Sequence, residues 1–240
     1  MNRYVLLISG KSATGKTASL RELDNPDGVV YINCEAGKEL PFPSLFKQAT
    51  VTDAVEVPAI IAEAENHDDV HTLVVDSLTY MMDLYEGLRV THPSVKDARA
   101  AWGQYAQFFR NLMQQTVATS TKNIAFIGHT SSVYDDKELV TETRVKVKGS
   151  LMNQGIESYF NHVLSTKKMP VSVLENYQND LLVITPQEEA LGFKYVYQTM
   201  LTRDTVNERI RGPMGMWAPE ETFIDNNLQL VIDRLHQYYS

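Results

Sequence analysis

The chain has 240 residues, 43% of them hydrophobic and 22% charged, enough for one large α/β domain with a sizeable core. Its formal net charge of −8 excludes a protein that coats nucleic acid with its whole surface, though not one with a local basic path. No apolar run approaches the roughly 18 residues of a membrane span, and the one cysteine, Cys34, has no internal partner for a disulfide, so the composition points to a cytoplasmic chain without a membrane partner.

Residues 4–9 are an apolar, β-branched run that reads as a buried strand. It feeds Gly10-Lys11-Ser12-Ala13-Thr14-Gly15-Lys16-Thr17, which fits the phosphate-cradling pattern G-x-x-x-x-G-K-[ST], and residues 18–23 continue it as a helix opened by Ala18. The glycines let consecutive N–H groups point at a triphosphate lying on the helix N-terminus. Lys16, on an exposed loop, would reach the β- and γ-phosphates, and the Thr17 hydroxyl would coordinate Mg²⁺. ATP and Mg²⁺ are therefore the expected ligands.

Residues 29–34 form a second buried strand that delivers Glu35 to its C-terminal end, the edge where open parallel sheets bind ligands. A carboxylate there can activate the water that attacks a γ-phosphate, or it can be a solvated loop residue beside Ala36-Gly37. Residues 48–52 read as a short strand and 57–66 as an acidic helix. The strand at 72–77 ends in Asp76, placed to hold Mg²⁺, and Ser77 stands where many phosphate-loop ATPases carry a glutamate base, which favours Glu35 for that role. Helices follow over 78–89 and about 97–119. Trp102 and Tyr105 lie in an apolar stripe of the longer one and read as core rather than as base-stacking residues.

The strand at 123–128 ends at His129, either a sensor of the γ-phosphate or an ordinary strand-end residue. Residues 131–143 read as a long polar loop, mobile and functional. It runs into Arg144-Val145-Lys146-Val147-Lys148-Gly149, whose alternation predicts three cations on one strand face about 7 Å apart. That row could track a single-stranded DNA backbone, or it could be a charged hairpin edge. No Lys or Arg occurs from Gln48 to Leu88, so a polyanion should meet the second half of the chain. A short helix at 149–157, strands at 159–166, 171–186 and 193–202, and a possible insertion at 167–192 complete the order. Arg203, Arg209 and Arg211 can cap a neighbouring subunit's γ-phosphate or serve as surface charges. Asp225 reads as the N-cap of a final amphipathic helix.

The series Gly10 to Thr17, Glu35, Asp76-Ser77, His129 and a mobile loop before Gly149 resembles the RecA-type recombinase core. Within that lineage it is similar to the small phage nucleotide-binding ATPases that act as single-strand annealing or recombination proteins. The resemblance implies a single α/β domain over 1–240, a three-layer RecA-like P-loop NTPase core with a mostly parallel central sheet. It also implies an ATPase with Glu35 activating water, Asp76 on magnesium and His129 as γ-phosphate sensor, where many recombinases have glutamine. Residues 131–148 match the DNA-binding loop, and Arg203, Arg209 or Arg211 the trans-acting basic residue. The implied partners are single-stranded DNA, further copies in a ring or filament, and a single-strand DNA-binding protein, in the cytoplasm of a host cell if the chain is phage-encoded. A phosphate loop also serves small-molecule kinases acting on nucleosides or nucleotides, and ATP could act as a conformational ligand alone.

Overall fold

The computed structural model describes residues 2–136 and 139–240. In chain order the elements are β1 (Val5–Gly10), β2 (Val29–Asn33), β3 (Lys47–Thr50), α1 (Glu56–Ala64), β4 (Thr72–Asp76), α2 (Leu78–Arg89) and α3 (Ala98–Asn111). Then come β5 (Asn123–Asp135), β6 (Val140–Val145), α4 (Ser150–Gln154), β7 (His162–Pro170), α5 (Val171–Leu174), α6 (Pro186–Leu191), β8 (Phe193–Gln198), β9 (Phe223–Asp225) and α7 (Leu228–Tyr239). The strands lie in the order β3-β2-β4-β5-β1-β7-β8-β9, with β6 paired to β5. From β3 to β7 every pairing is parallel, while β7 with β8, β8 with β9 and β5 with β6 are antiparallel. This is the expected RecA-like three-layer architecture.

Strand alternation builds the layers. On β1, Val5 and Leu7 face a core completed by α1, α2 and α3 through Ile61, Met81, Tyr105 and Phe109. Leu6 and Ile8 face the other way, against Leu20, Trp217 and the Leu228, Val231, Ile232 and Leu235 stripe of α7. Parallel strands covered on both faces must be apolar throughout, which is why β1 and β4 read as unbroken hydrophobic runs. Tyr105 is fully buried and Trp102 packs beside it with ring centroids 5.3 Å apart, so both serve the core. No helix among the described residues is long and apolar enough to cross a membrane.

Several local expectations are corrected. The helix over 18–23 is only a 3-10 turn, Thr17–Leu20, because the turn-forming Asp24-Asn25-Pro26-Asp27-Gly28 follows at once and Asn25 adopts a left-handed φ of 44°. The polar loop after His129 is a hairpin: β5 continues to Asp135 and pairs with β6 from Thr130↔Val145 to Asp135↔Val140. Its β-branched Val133, Thr141 and Thr143 favour that extension. Lys137 and Glu138, within the 131–148 stretch, lie outside the described residues. Residues 171–186 are not a strand. Pro170 ends the ladder, α5 turns the chain, and Leu174 and Leu182 pack with Val196 and Phe223 in a small third cluster. Asn227, not Asp225, caps α7; Asp225 ends β9 and pairs with Lys194 at 3.1 Å.

The turn before α1 is tied to the end of α2 by a two-pronged pair, Arg89 donating to both oxygens of Asp53 at 2.6 Å. The Arg89 hydrogen bond holds the Asp53 carboxyl below its usual range. A depressed folded-state value stabilises the fold above the unfolded pKa of about 3.9 and is lost as pH falls through the folded value. Asp53→Asn is expected to cost about 1 kcal/mol at pH 7 and much less at pH 3. Urea unfolding at both pH values checks this, and an equal loss at each would assign the cost to packing.

Candidate active site

The phosphate loop leaves the C-terminal end of β1, where two close approaches dictate its glycines. A Cβ on Gly10 would lie 2.1 Å from the Thr166 hydroxyl, and Gly15, at φ +90°, would place one 2.6 Å from Asn226 Nδ2. The loop is braced from behind by side chains far away in sequence. Asn226 donates to the Gly15 carbonyl at 2.9 Å, Thr14 and Thr166 share a hydrogen bond of 2.6 Å, and Ser19 donates to the Lys16 carbonyl at 2.5 Å. The buried Tyr197 hydroxyl donates to Ser19 in turn at 2.5 Å.

Lys16 is buried, not exposed as expected. Its ammonium curls back to the carbonyls of Gly10 at 3.0 Å and Lys11 at 2.7 Å, so the loop solvates it internally. Burial pulls it down to about 8, against the opposing pull of Asp76. The Thr17 hydroxyl donates to Asp76 Oδ2 at 2.7 Å, and the Tyr31 hydroxyl from β2 donates to the same oxygen at 2.9 Å. Burial pushes the Asp76 carboxyl up. Its other oxygen, Oδ1, is buried with no hydrogen-bond partner among the described residues. A hydroxyl beside a carboxylate with an orphaned oxygen is a hard-donor pair that fits Mg²⁺, which takes one or two protein oxygens and completes its shell with phosphates and water.

Glu35 stands opposite, just beyond β2, its backbone N–H donating to Asn33 Oδ1 at 2.9 Å. Both carboxylate oxygens are engaged: Oε1 lies 3.0 Å from His129 Nε2, and Oε2 accepts from Lys38 at 3.1 Å. The His129 hydrogen bond, with Lys38 after it, holds Glu35 down at about 2 despite its burial. His129 is itself placed by its backbone N–H, which donates to Thr79 Oγ1 of α2 at 3.0 Å. A cavity of about 180 Å³ opens between the Ser12, Ala13, Gly15, Lys16, Thr17 and Ala18 side and the Glu35, Lys38, Pro41 and His129 side. The fold thus brings Lys16, Thr17, Glu35, Asp76 and His129 to one cleft from the ends of β1, β2 and β4 and the middle of β5.

The basic residues are placed differently from expectation. Val145 and Val147 are buried, as the alternation requires, but β6 ends at Val145 and no even row of three cations forms. Arg144 is tucked in, donating to the Met152 carbonyl at 3.3 Å, and Lys148 is paired with Glu86 at 2.6 Å and Asp83 at 3.7 Å. Lys146 is exposed. Arg209 is committed within its own chain to Glu142 at 2.9 Å, whereas Arg203 and Arg211 are exposed. Sequence reasoning missed Tyr31, Lys38 and Asn226. Lys38 carries the one local signal, three residues past Glu35 in an Ala-Gly turn.

The AAA domain family, AAA_24, matches residues 2–190. The chain belongs to this family. This AAA domain therefore has a P-loop ATPase fold, whose ligand is a nucleotide. Among solved structures it is similar to the KaiC-like protein PH0186 from the hyperthermophilic archaeon Pyrococcus horikoshii OT3, with 13% identity, a TM-score of 0.44, and 85% of this chain and 82% of that chain covered. No curated protein sequence matches it.

Because Lys16 is a desolvated cation held only by carbonyls, removing it frees the fold of a burial cost while removing the phosphate partner. Lys16→Ala is expected to lose ATP turnover while its melting temperature falls by no more than about 2 °C. Thermal melts with and without ATP check this; an ATP-induced upward shift or retained turnover in the variant would reject the site.

Proposed function

We propose that this AAA domain is a Mg²⁺-dependent ATPase whose turnover is coupled to single-stranded DNA, in a recombination or annealing role. The observation that carries the reading is the Glu35–His129 contact of 3.0 Å facing Lys16 and Thr17. It supports the reading because a carboxylate faces the phosphate loop across the cavity and is linked to the strand that continues as the β5–β6 hairpin.

With Lys16 on the phosphates, Glu35 orients the water and accepts its proton as the bond from the γ-phosphorus to the bridging oxygen breaks. Thr17 and Asp76 would hold Mg²⁺, which neutralises charge on the phosphates. A carboxylate at about 2 with both oxygens occupied is a weak base. The γ-phosphate competes for Lys38 and His129, and loss of either raises the basicity of Glu35. His129 is one residue from Thr130, the first residue of the hairpin ladder, so a ligand on the hairpin has a short route to the same glutamate. Assembly into a ring or filament would offer the exposed Arg203 or Arg211 to a neighbour's phosphates, and a single-strand DNA-binding protein is a fitting partner for such an assembly.

A second reading has its own observation. A cavity of about 450 Å³ lies on the far side of Glu35, bounded also by Lys38, Thr52, Tyr80 and Asp83. It could seat a small acceptor, with Glu35 taking the acceptor's hydroxyl proton in a phosphoryl transfer. Phosphate release from ATP, measured with and without oligo(dT), separates the two. Stimulation by DNA, reduced about 100-fold or more in Glu35→Gln with ATP binding retained, is the expected result. Turnover that appears only when nucleosides or nucleotides are supplied would establish the kinase instead.

A further inference from the structure

Between the phosphate loop and the β7–β8 ribbon lies another cavity, of about 270 Å³, which shares no lining residue with the cavity facing Lys16. Thr14, Thr130, Thr143 and Thr166 line it, the Thr14 and Thr166 hydroxyls being hydrogen-bonded to each other. Lys11, Lys167 and Lys168 also line it, with Glu208 as the one carboxylate there. Glu208 pairs with Lys167. Among the described residues, neither Lys11 nor Lys168 has a carboxylate within ion-pair distance, in contrast to Lys148 and Arg209.

The register of the ribbon explains what stands beside this cleft. Thr166 pairs with Tyr197 and Lys168 with Tyr195. Residues two apart on a strand share a face, so Thr166 and Lys168 lie on one side, as do Tyr197 and Tyr195. Thr166 and Tyr197 hold the back of the phosphate loop and its following turn through Thr14 and Ser19. One step outward, Lys168 Nζ sits 3.9 Å from the centroid of the Phe193 ring and 5.9 Å from that of Tyr195. The two rings meet edge to face at 5.7 Å. Tyr195 is 39% exposed, and neither ring belongs to any of the three apolar clusters. Two aromatic rings without a core role, capped by an unpaired cation, flank a hydroxyl-lined groove.

We infer that this cleft is a single-stranded DNA subsite, with phosphodiester oxygens on Lys11, Lys168 and the hydroxyls of Thr130 and Thr143, and a base stacked on the Phe193–Tyr195 pair. The inference rests on the DNA-coupled reading above and moves the main contact from the 144–148 segment to the phosphate-loop side of the hairpin. The chemistry selects single strands, because only an unpaired base offers its face to an aromatic ring, and it is indifferent to sequence. Thr130 and Thr143 come from the hairpin and Lys11 and Thr14 from the phosphate loop, so a strand in the cleft touches both partners of the coupling.

The test is anisotropy of labelled oligo(dT) with the full chain over a range of salt, alongside binding of a fluorescent ATP analogue. Lys168→Gln is expected to weaken oligo(dT) binding about five- to tenfold and to reduce the salt slope by about 0.7. Tyr195→Leu is expected to weaken it at least about fivefold with the slope unchanged. Lys168 is exposed, so its variant carries the test even where Tyr195→Leu fails to fold. Wild-type binding to oligo(dT) that both folded variants retain overturns the inference and leaves the DNA reading standing. So does weakened binding of the ATP analogue with oligo(dT) affinity unchanged, which would make the cleft part of the nucleotide site. Absence of oligo(dT) binding by the wild type, with or without the analogue, overturns the DNA reading and the inference with it.

Discussion

Two hydroxyls converge on one buried carboxylate oxygen, Asp76 Oδ2, at 2.7 Å from Thr17 and 2.9 Å from Tyr31. Thr17 ends the phosphate loop of β1, Tyr31 belongs to β2 and Asp76 ends β4, while β5 lies between β1 and β4 in the sheet. The contact therefore ties the loop to β2 and β4 across an intervening strand. Its cost is a desolvated carboxylate that two donors only partly satisfy, since Oδ1 is buried with no partner among the described residues.

The same economy governs the cations. A chain with a net charge of −8 has few to spare, and many of them are committed to its own carboxylates: Arg89 to Asp53, Lys148 to Glu86, Lys194 to Glu188, Arg209 to Glu142 and Arg234 to Glu221. A polyanion would meet what these pairs leave, so a count of Lys and Arg along the sequence misplaces the basic surface. Lys16 is the extreme case, solvated by the carbonyls of its own loop.

Much of the site is legible in the sequence because it is local or periodic. The phosphate loop has fixed spacing, and buried parallel strands announce themselves as apolar runs, after which Glu35, Asp76 and His129 fall on one edge of the parallel sheet. The parts that escape depend on distant partners. The turn after the loop is short because Asn25-Pro26 interrupts it, which a helical pattern over 18–23 does not reveal. The hairpin reads as a polar loop because its exposed strands lack the apolar signal that marks the buried ones. Residues 171–186 look like a strand until Phe223, far along the chain, draws Leu174 and Leu182 under it. Lys148 looks like a free cation until α2 presents Glu86.

The hydrogen bond from Asn226 to the Gly15 carbonyl crosses 211 positions of sequence. The family match ends at residue 190, short of Asn226, of β8 and β9 and of the α7 stripe that covers Leu6 and Ile8. The stretch that matches the family and the stretch that packs together therefore differ. A fragment cut where the family ends would keep every residue of the phosphate-loop motif and lose the wall behind it, with one apolar face of the sheet opened to water. A unit that keeps the loop's brace and both covered faces of the sheet reaches through the final helix, so a fusion joint or truncation belongs beyond that helix.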